Sequence, residues 1–248
     1  GTLIMLWIAL AFPHLPLESF PPASTQSEPW AVVDQSRVLV CNFPARRRGV
    51  RPGMTVAAAS ALAPQLNHRP RDLGIETSAL TAIAVWAAQF TPVVSLEPPA
   101  GLLLEIEGSL KLLGGIDNVL QSIERGLQDM GYTAAIACAS TATAAWLLAR
   151  NGGSRVAIER SALEPVIAAL PVTVLHCETS ARNTFAAIGV KRIGDLLRLP
   201  RDGLARRFGP RLLDTLDRAL GKLPEARRSF TPPEHFDVKL ELAVEVIN

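Results

Sequence analysis

Residues 3–12 form an almost unbroken apolar run that stops at Pro13, the pattern of a short strand covered on both faces. Five prolines, at 13, 16, 21, 22 and 29, then forbid a long helix and predict a short irregular excursion. Residues 31–34 and 37–41 alternate as the arms of a hairpin turning at Gln35 and Ser36. Two short helices are expected at 44–49 and 55–63, and a longer one at 78–90. Residues 93–96 and 102–107 read as paired strands around the Pro98, Pro99, Ala100, Gly101 turn. An amphipathic helix at 116–130, closed by Gly131, leads to a strand of small residues at 132–139. An alanine-rich helix at 141–150 follows and is closed by Asn151 and two glycines.

After a short extended stretch at 155–158 the character changes. Only short helices are expected, at 163–169, 181–188, 193–197, 203–208 and 211–220, separated by glycine and proline signals. The fold class is therefore α+β, a split sheet with its helices followed by an all-helical region.

Composition adds the class of molecule: 248 residues, 48% hydrophobic and 19% charged, describe a folded chain of one large or two to three small domains. The net charge of +2 says little, but its distribution says more. Residues 182–228 carry twelve basic and five acidic side chains, a local excess of seven. Cys41, Cys138 and Cys177 are far apart and lack the spacing of a zinc site or a disulfide framework, which points to a reducing cytoplasm. The opening apolar run is too short to span a bilayer and has neither a basic flank nor a small-residue cleavage site, so no membrane is implied.

Within the basic window two glycine turns echo each other, at 187–191 and 207–211, each with a cation between short helices. Paired turns of this kind are the signature of helix-hairpin-helix DNA binding, where glycine lets backbone N–H groups meet a phosphate. The first would use Gly189, Lys191 and Arg192; the second Gly209 and Arg211, with Arg206 and Arg207. Glycines that merely cap helices beside a solvated arginine face would give the same pattern for one copy, and two copies in one basic window favour DNA. Such contacts read backbone, so binding would be salt-dependent.

A second basic segment, CNFPARRRGVRPGM at 41–54, holds four arginines, suited either to gripping a polyphosphate or to forming a solvated face. An acid cluster for two-metal nucleotidyl transfer is not found, because residues 3–12 contain no Asp or Glu. Glu105 and Glu107 alternate onto one strand face, as a single-metal pair or as a solvent-facing edge. His14, His68, His176 and His235 lie in four different settings and suggest no catalytic arrangement.

Together these segments resemble the Y-family translesion DNA polymerases, and within them the ImuB-type polymerase-like proteins of the bacterial mutasome. LWIALAFPHLPLESF at 6–20 looks like the opening palm strand, AVVDQSRVLVCNFPARRRGVRPGMTVAAASALAPQL at 31–66 like the fingers, and GLLLEIEGSLKLLGG at 101–115 like the second catalytic strand region. IACASTATAAWLLAR at 136–150 resembles the last palm helix, and 220–242 the thumb exit. The resemblance implies a palm at 1–12 and 78–158, inserted fingers at 13–77 and a helix-hairpin-helix thumb at 159–230. Residues 231–248 would be a tether and the start of a truncated little-finger domain.

Active members place the carboxylates that hold two magnesium ions at positions corresponding to Leu10 and Phe12 and to Ala100 and Gly101. None of these four can ligate a metal, so neither a metal nor another cofactor is expected. Phe43 and Arg46 match a fingers aromatic and arginine that cover the sugar and grip the triphosphate, and Arg150 matches a palm cation near the same phosphates. They form either a vestigial nucleotide pocket or residues serving only the fold.

The resemblance thus implies a non-catalytic, nucleoid-associated scaffold for translesion synthesis in damage-induced (SOS) mutagenesis. It would bind primer–template DNA, and parts absent from this chain would recruit the sliding clamp, a RecA-like accessory protein and an error-prone polymerase. Two alternatives stand beside it: an active polymerase with displaced ligands such as Glu105, Glu107 and Glu97, and a general helix-hairpin-helix DNA-repair module.

Overall fold

The computed structural model describes residues 5–20, 27–152, 156–157, 160–175 and 177–232. His176, His235, the first residues of the opening run, the parts of the 155–158 stretch other than 156–157, and the tether beyond residue 232 lie outside the described residues.

Strand β1 (Trp7–Ala11) leads to a one-turn helix α1 (Leu15–Glu18) with Pro16 in its first turn. The hairpin β2 (Trp30–Asp34) and β3 (Arg37–Cys41) follows, then α2 (Phe43–Arg47), α3 (Val56–Leu62) and β4 (Asn67–Pro70). Next come α4 (Leu73–Ala87), β5 (Val94–Leu96), β6 (Gly101–Glu105), α5 (Ile116–Asp129), β7 (Ala135–Ala139), α6 (Ala142–Arg150) and β8 (Val156–Ala157). Five helices complete the described chain: α7 (Arg160–Ala168), α8 (Thr179–Ala187), α9 (Ile193–Leu197), α10 (Arg201–Phe208) and α11 (Pro210–Ala219).

One sheet has the order β5-β6-β1-β7-β8, with β1 central and antiparallel to both β6 and β7. Strand alternation divides its side chains. Ile8, Leu10 and Phe12 pack with Leu102 and Leu104 against Leu80 and Ile83 of α4 and Ile123 of α5. Trp7, Ala9 and Ala11 face the other way with Leu103, Ala137 and Ala139, under the alanines of α6. Small residues on both sides of that contact let α6 lie close to the sheet, and the same core continues into α7–α11.

The second sheet, β3-β2-β4, carries α2 and α3. Gln35 and Ser36 take φ values of 45° and 63°, the double positive turn that closes a two-residue hairpin. Strand β4 was not expected, since its Asn-His-Arg-Pro sequence has no apolar alternation. It runs parallel to β2 through backbone bonds, with Asn67 N–H donating to Pro29 and Arg71 N–H to Val33. Helix α4 begins before the expected residue 78, because the Asp72 carboxylate accepts from the N–H groups of Gly74 and Ile75 at 2.9 and 3.1 Å. Just upstream of that cap, Arg71 makes a bidentate 2.7 Å pair with the buried carboxylate of Glu76.

The start of α6 holds the end of α11. Thr141, the N-cap of α6, donates its hydroxyl to the Ala219 carbonyl at 3.0 Å, so the positive end of one helix meets the negative end of the other. Among the described residues no helix is long and apolar enough to cross a membrane.

Candidate nucleic-acid interface and the lost metal positions

The register of β1 against β6 pairs Ala11 with Gly101 and Leu10 with Leu102. Paired residues share a face, so the first-strand position facing Gly101 is Ala11, not Leu10 or Phe12. Those two side chains point into the core beneath α4 and α5 and are 0% and 1% exposed. Leu10 and Phe12, expected at the metal positions with Ala100 and Gly101, therefore lie on the other face of the sheet from Gly101, and Phe12 instead donates its N–H to the Ala100 carbonyl at 2.9 Å. On the face that Gly101 shares, Ala9, Ala11 and Gly101 offer no side-chain oxygen.

The hollow above Gly101 is filled. A Cβ added there would lie 2.2 Å from Cη2 and 2.4 Å from Cζ3 of Trp146, on α6, and 3.1 Å from Cβ of Glu97. Glu97 in turn forms an ion pair with Arg227, which also pairs with Glu225. The Glu225 carboxylate accepts from the backbone N–H of Thr143 at 3.0 Å and from its hydroxyl at 2.6 Å, at the first turn of α6. Burial lowers the Arg227 pKa from its ordinary value. The segment after α11 thus runs as a strap across the sheet, continuing to Phe230, whose N–H donates to Val94 at 2.6 Å.

Glu97 does not meet Glu105. Glu105 lies four residues along β6 from Gly101, about 13 Å away for an extended strand, and it accepts from the N–H of Glu107 at 3.1 Å. Glu97 stands at the Gly101 end, its N–H donating to the Gly101 carbonyl. Glu97 and Glu105 are therefore too far apart to share one metal ion. The residues in place do not fit the two-metal site that the fold family implies.

The two glycine turns differ. Gly189 has φ +74°, as the turn requires, but the N–H groups of Lys191 and Arg192 donate to one carboxylate oxygen of Asp195 at 3.0 and 2.9 Å. Those bonds hold the Asp195 carboxyl below the usual range. The expected backbone phosphate cradle at the first turn is therefore already occupied by a carboxylate, and what remains outward is the exposed side chains of Lys191 and Arg192. At the second turn Gly209 has φ +80° and no side chain caps α11. Exposed Arg206 donates back to the Asp202 carbonyl at 3.4 Å, while Arg207 and Arg211 line a cleft of about 1090 Å³ between α6 and the helical region.

Arg150 opens onto the same cleft. Half-buried, it donates to the Val174 carbonyl at 2.5 Å, and burial lowers its pKa. Phe43 is 64% exposed with Arg47 stacked 6.0 Å from its ring, and Arg46 is also exposed. No described residue of 13–77 lines the cleft. Arg150 thus stands with the second glycine turn, and the structure does not gather it into one cleft with Phe43 and Arg46.

Sequence reasoning missed Trp146, Glu225 and Arg227, and named Glu97 only as a displaced ligand, not as the partner of Arg227. A tryptophan in an alanine-rich helix was a visible signal; the strap contacts, between segments distant in sequence, had none.

The model of the impB/mucB/samB family matches residues 20–150. Protein ImuB of Caulobacter vibrioides is 37% identical over 187 residues, covering 74% of this chain and 41% of that protein. DNA polymerase IV of Yersinia pestis is 27% identical over 177 residues, covering 69% of this chain and 50% of the relative. The chain therefore spans half or less of the length of these curated relatives. Among solved structures, a Dbh ternary complex superposes with a TM-score of 0.72 at 18% identity, over 91% of this chain and 69% of the other. DinB from Sulfolobus solfataricus gives 0.70 at 18% identity, over 91% and 70%. The chain belongs to the impB/mucB/samB family, is of ImuB type, and is built on the fold of the Y-family DNA polymerases.

Proposed function

We propose that this chain is the DNA-engaging, non-catalytic part of a scaffold for translesion synthesis in damage-induced mutagenesis. The palm would comprise 1–12 and 78–158, the fingers 13–77 and the thumb 159–230. The observation that carries the reading is the pairing of Ala11 with Gly101 under the Trp146 indole. Two-metal phosphoryl transfer needs carboxylates converging from two strands, and on these strands the facing positions have no side-chain oxygen and, at Gly101, no room for one.

DNA binding is supported by the likeness to polymerases solved as ternary complexes and by the exposed cations of α10 and α11. Arg206, Arg207 and Arg211 would meet the phosphate backbone beside Gly209, with Lys191 and Arg192 adding side-chain charge. The scaffold acts by position. DNA affinity, combined through the chain with affinity for a sliding clamp, a RecA-like accessory protein and an error-prone polymerase, raises the local concentration of that polymerase at a damaged primer terminus.

The test is primer extension on a labelled primer–template with magnesium and then manganese, beside binding to the same DNA across a salt series. Binding without extension, in the chain and in the full-length protein, is expected. Extension would make the protein an enzyme. Equal affinity for plain duplex and for primer–template would reduce it to a general helix-hairpin-helix module.

A further inference from the structure

The strap that leaves α11 lies in the cleft between α6 and the helical region. Pro224, Glu225, Ala226 and Arg227 line that cleft together with Arg207 and Arg211. Along the strap Leu223, Glu225 and Arg227 are half-buried, while Lys222, Pro224, Ala226 and Arg228 are exposed. This is the period of two of an extended chain laid on a surface, and it turns one carboxylate and one guanidinium inward.

What holds the strap is almost wholly polar. Glu225 accepts from the N–H and the hydroxyl of Thr143 at the first turn of α6, where the helix presents its positive end. Arg227 pairs with Glu225 and with Glu97. Further along, the Ser229 hydroxyl donates to the Pro92 carbonyl at 3.4 Å and the Phe230 N–H to Val94. Among the described residues of 222–232 only Phe230 packs against a hydrophobic cluster. Water and salt can replace charge pairs and hydrogen bonds at such a surface, so an arm with one apolar anchor leaves its seat far more readily than the core opens.

We propose that the strap is a self-occluding arm that restrains DNA binding: docked, it fills part of the cleft that Arg207 and Arg211 line and places the Glu225 carboxylate there. The proposal rests on the DNA reading above and adds its regulation. A phosphate backbone entering beside Arg207 and Arg211 meets the strap's bulk and the like charge of Glu225 and Glu97, so DNA and the docked arm exclude each other. Linkage makes the effect reciprocal: DNA shifts the arm toward its released state by the factor by which release strengthens DNA binding.

The experiment is amide hydrogen exchange of residues 223–230 in the full chain, with and without primer–template DNA, beside DNA affinity at one fixed salt. Phe230→Ala and Glu225→Gln should each speed exchange of the strap threefold or more and tighten DNA binding by a similar factor. Phe230→Ala changes no charge, so its gain cannot come from a lost carboxylate. Should Phe230→Ala fail to fold, Thr143→Val, which removes the hydroxyl that Glu225 takes, replaces it. In the unsubstituted chain DNA should speed exchange of the strap and leave α5 unchanged. Protection of the strap by DNA overturns the proposal and makes the strap part of the DNA surface. Unchanged strap exchange in every variant overturns it too, as does a released strap with unaltered DNA affinity. Release of the strap in variants none of which binds DNA removes the DNA reading itself, and the occlusion with it, whereas DNA binding indifferent to the strap removes this proposal alone.

Discussion

The indole of Trp146 occupies the space that a side chain on Gly101 would need, with ring carbons 2.2 and 2.4 Å from where a Cβ would stand. A carboxylate cannot return to that strand position while the tryptophan remains. The two residues should behave as one unit. Trp146→Ala is expected to cost about 3 kcal/mol through the cavity it leaves, and Gly101→Asp about 2 kcal/mol through overpacking. The double variant should be more stable than the sum predicts, by about 1 kcal/mol or more. Denaturant unfolding of the four proteins measures this, and strict additivity would show that the contact does not exist.

The strap depends on Arg227, which bridges Glu97 and Glu225 while being mostly removed from water. Arg227→Met should destabilise the chain by about 2 kcal/mol, as expected for charge-assisted bonds lost next to partly buried carboxylates. It should also speed proteolytic cleavage after Arg228. Glu97→Gln added to Arg227→Met should cost little further, and an equal second loss would mean that Glu97 has another partner.

The two glycine turns should respond differently to charge reversal. Arg211→Glu with Lys191→Glu is expected to weaken DNA binding alike on every sequence and to flatten its salt dependence by about two contacts. Taken singly, Arg211→Glu should have the larger effect, because no side chain caps α11 there, whereas Asp195 already occupies the N–H groups beside Lys191. Gel shifts or anisotropy over a salt series decide it. A larger effect from Lys191→Glu would move the interface to the first turn.

Acid stability should depend on Asp217, whose carboxylate takes both guanidinium nitrogens of Arg201 at 3.0 and 2.6 Å and is held below the usual carboxylate range by those bonds. A depressed folded pKa contributes stability that is present above the unfolded value, near 4, and is lost as pH falls through the folded value. Asp217→Asn should therefore lower the melting temperature at pH 7 and flatten its decline below about pH 4. An unchanged acid slope would show the pair to be open in solution.

Much of the scaffold was legible from periodicity. The apolar run ending at Pro13, the hairpin at Gln35 and Ser36, and helix α9 at Ile193–Leu197 all stand where apolar spacing and turn residues put them. Strand β4 was not legible, because an edge strand joined through backbone bonds needs no apolar alternation. The start of α4 was missed because its cap, Asp72, lies before the periodic residues begin.

By itself the sequence determined that an apolar strand lacking any acid is followed by an alanine-rich helix and a basic helical region. Those properties are local: residue type and spacing set which faces are buried and which carry charge. Only the tertiary structure decided that Ala11, not Leu10, faces Gly101, that Trp146 fills the hollow between them, and that Asp195 closes one turn while Arg150 joins the other across a cleft. The physical reason is that register and side-chain contact arise between segments distant along the chain. No period within either segment records which residue of the other will fill its space or meet its charge.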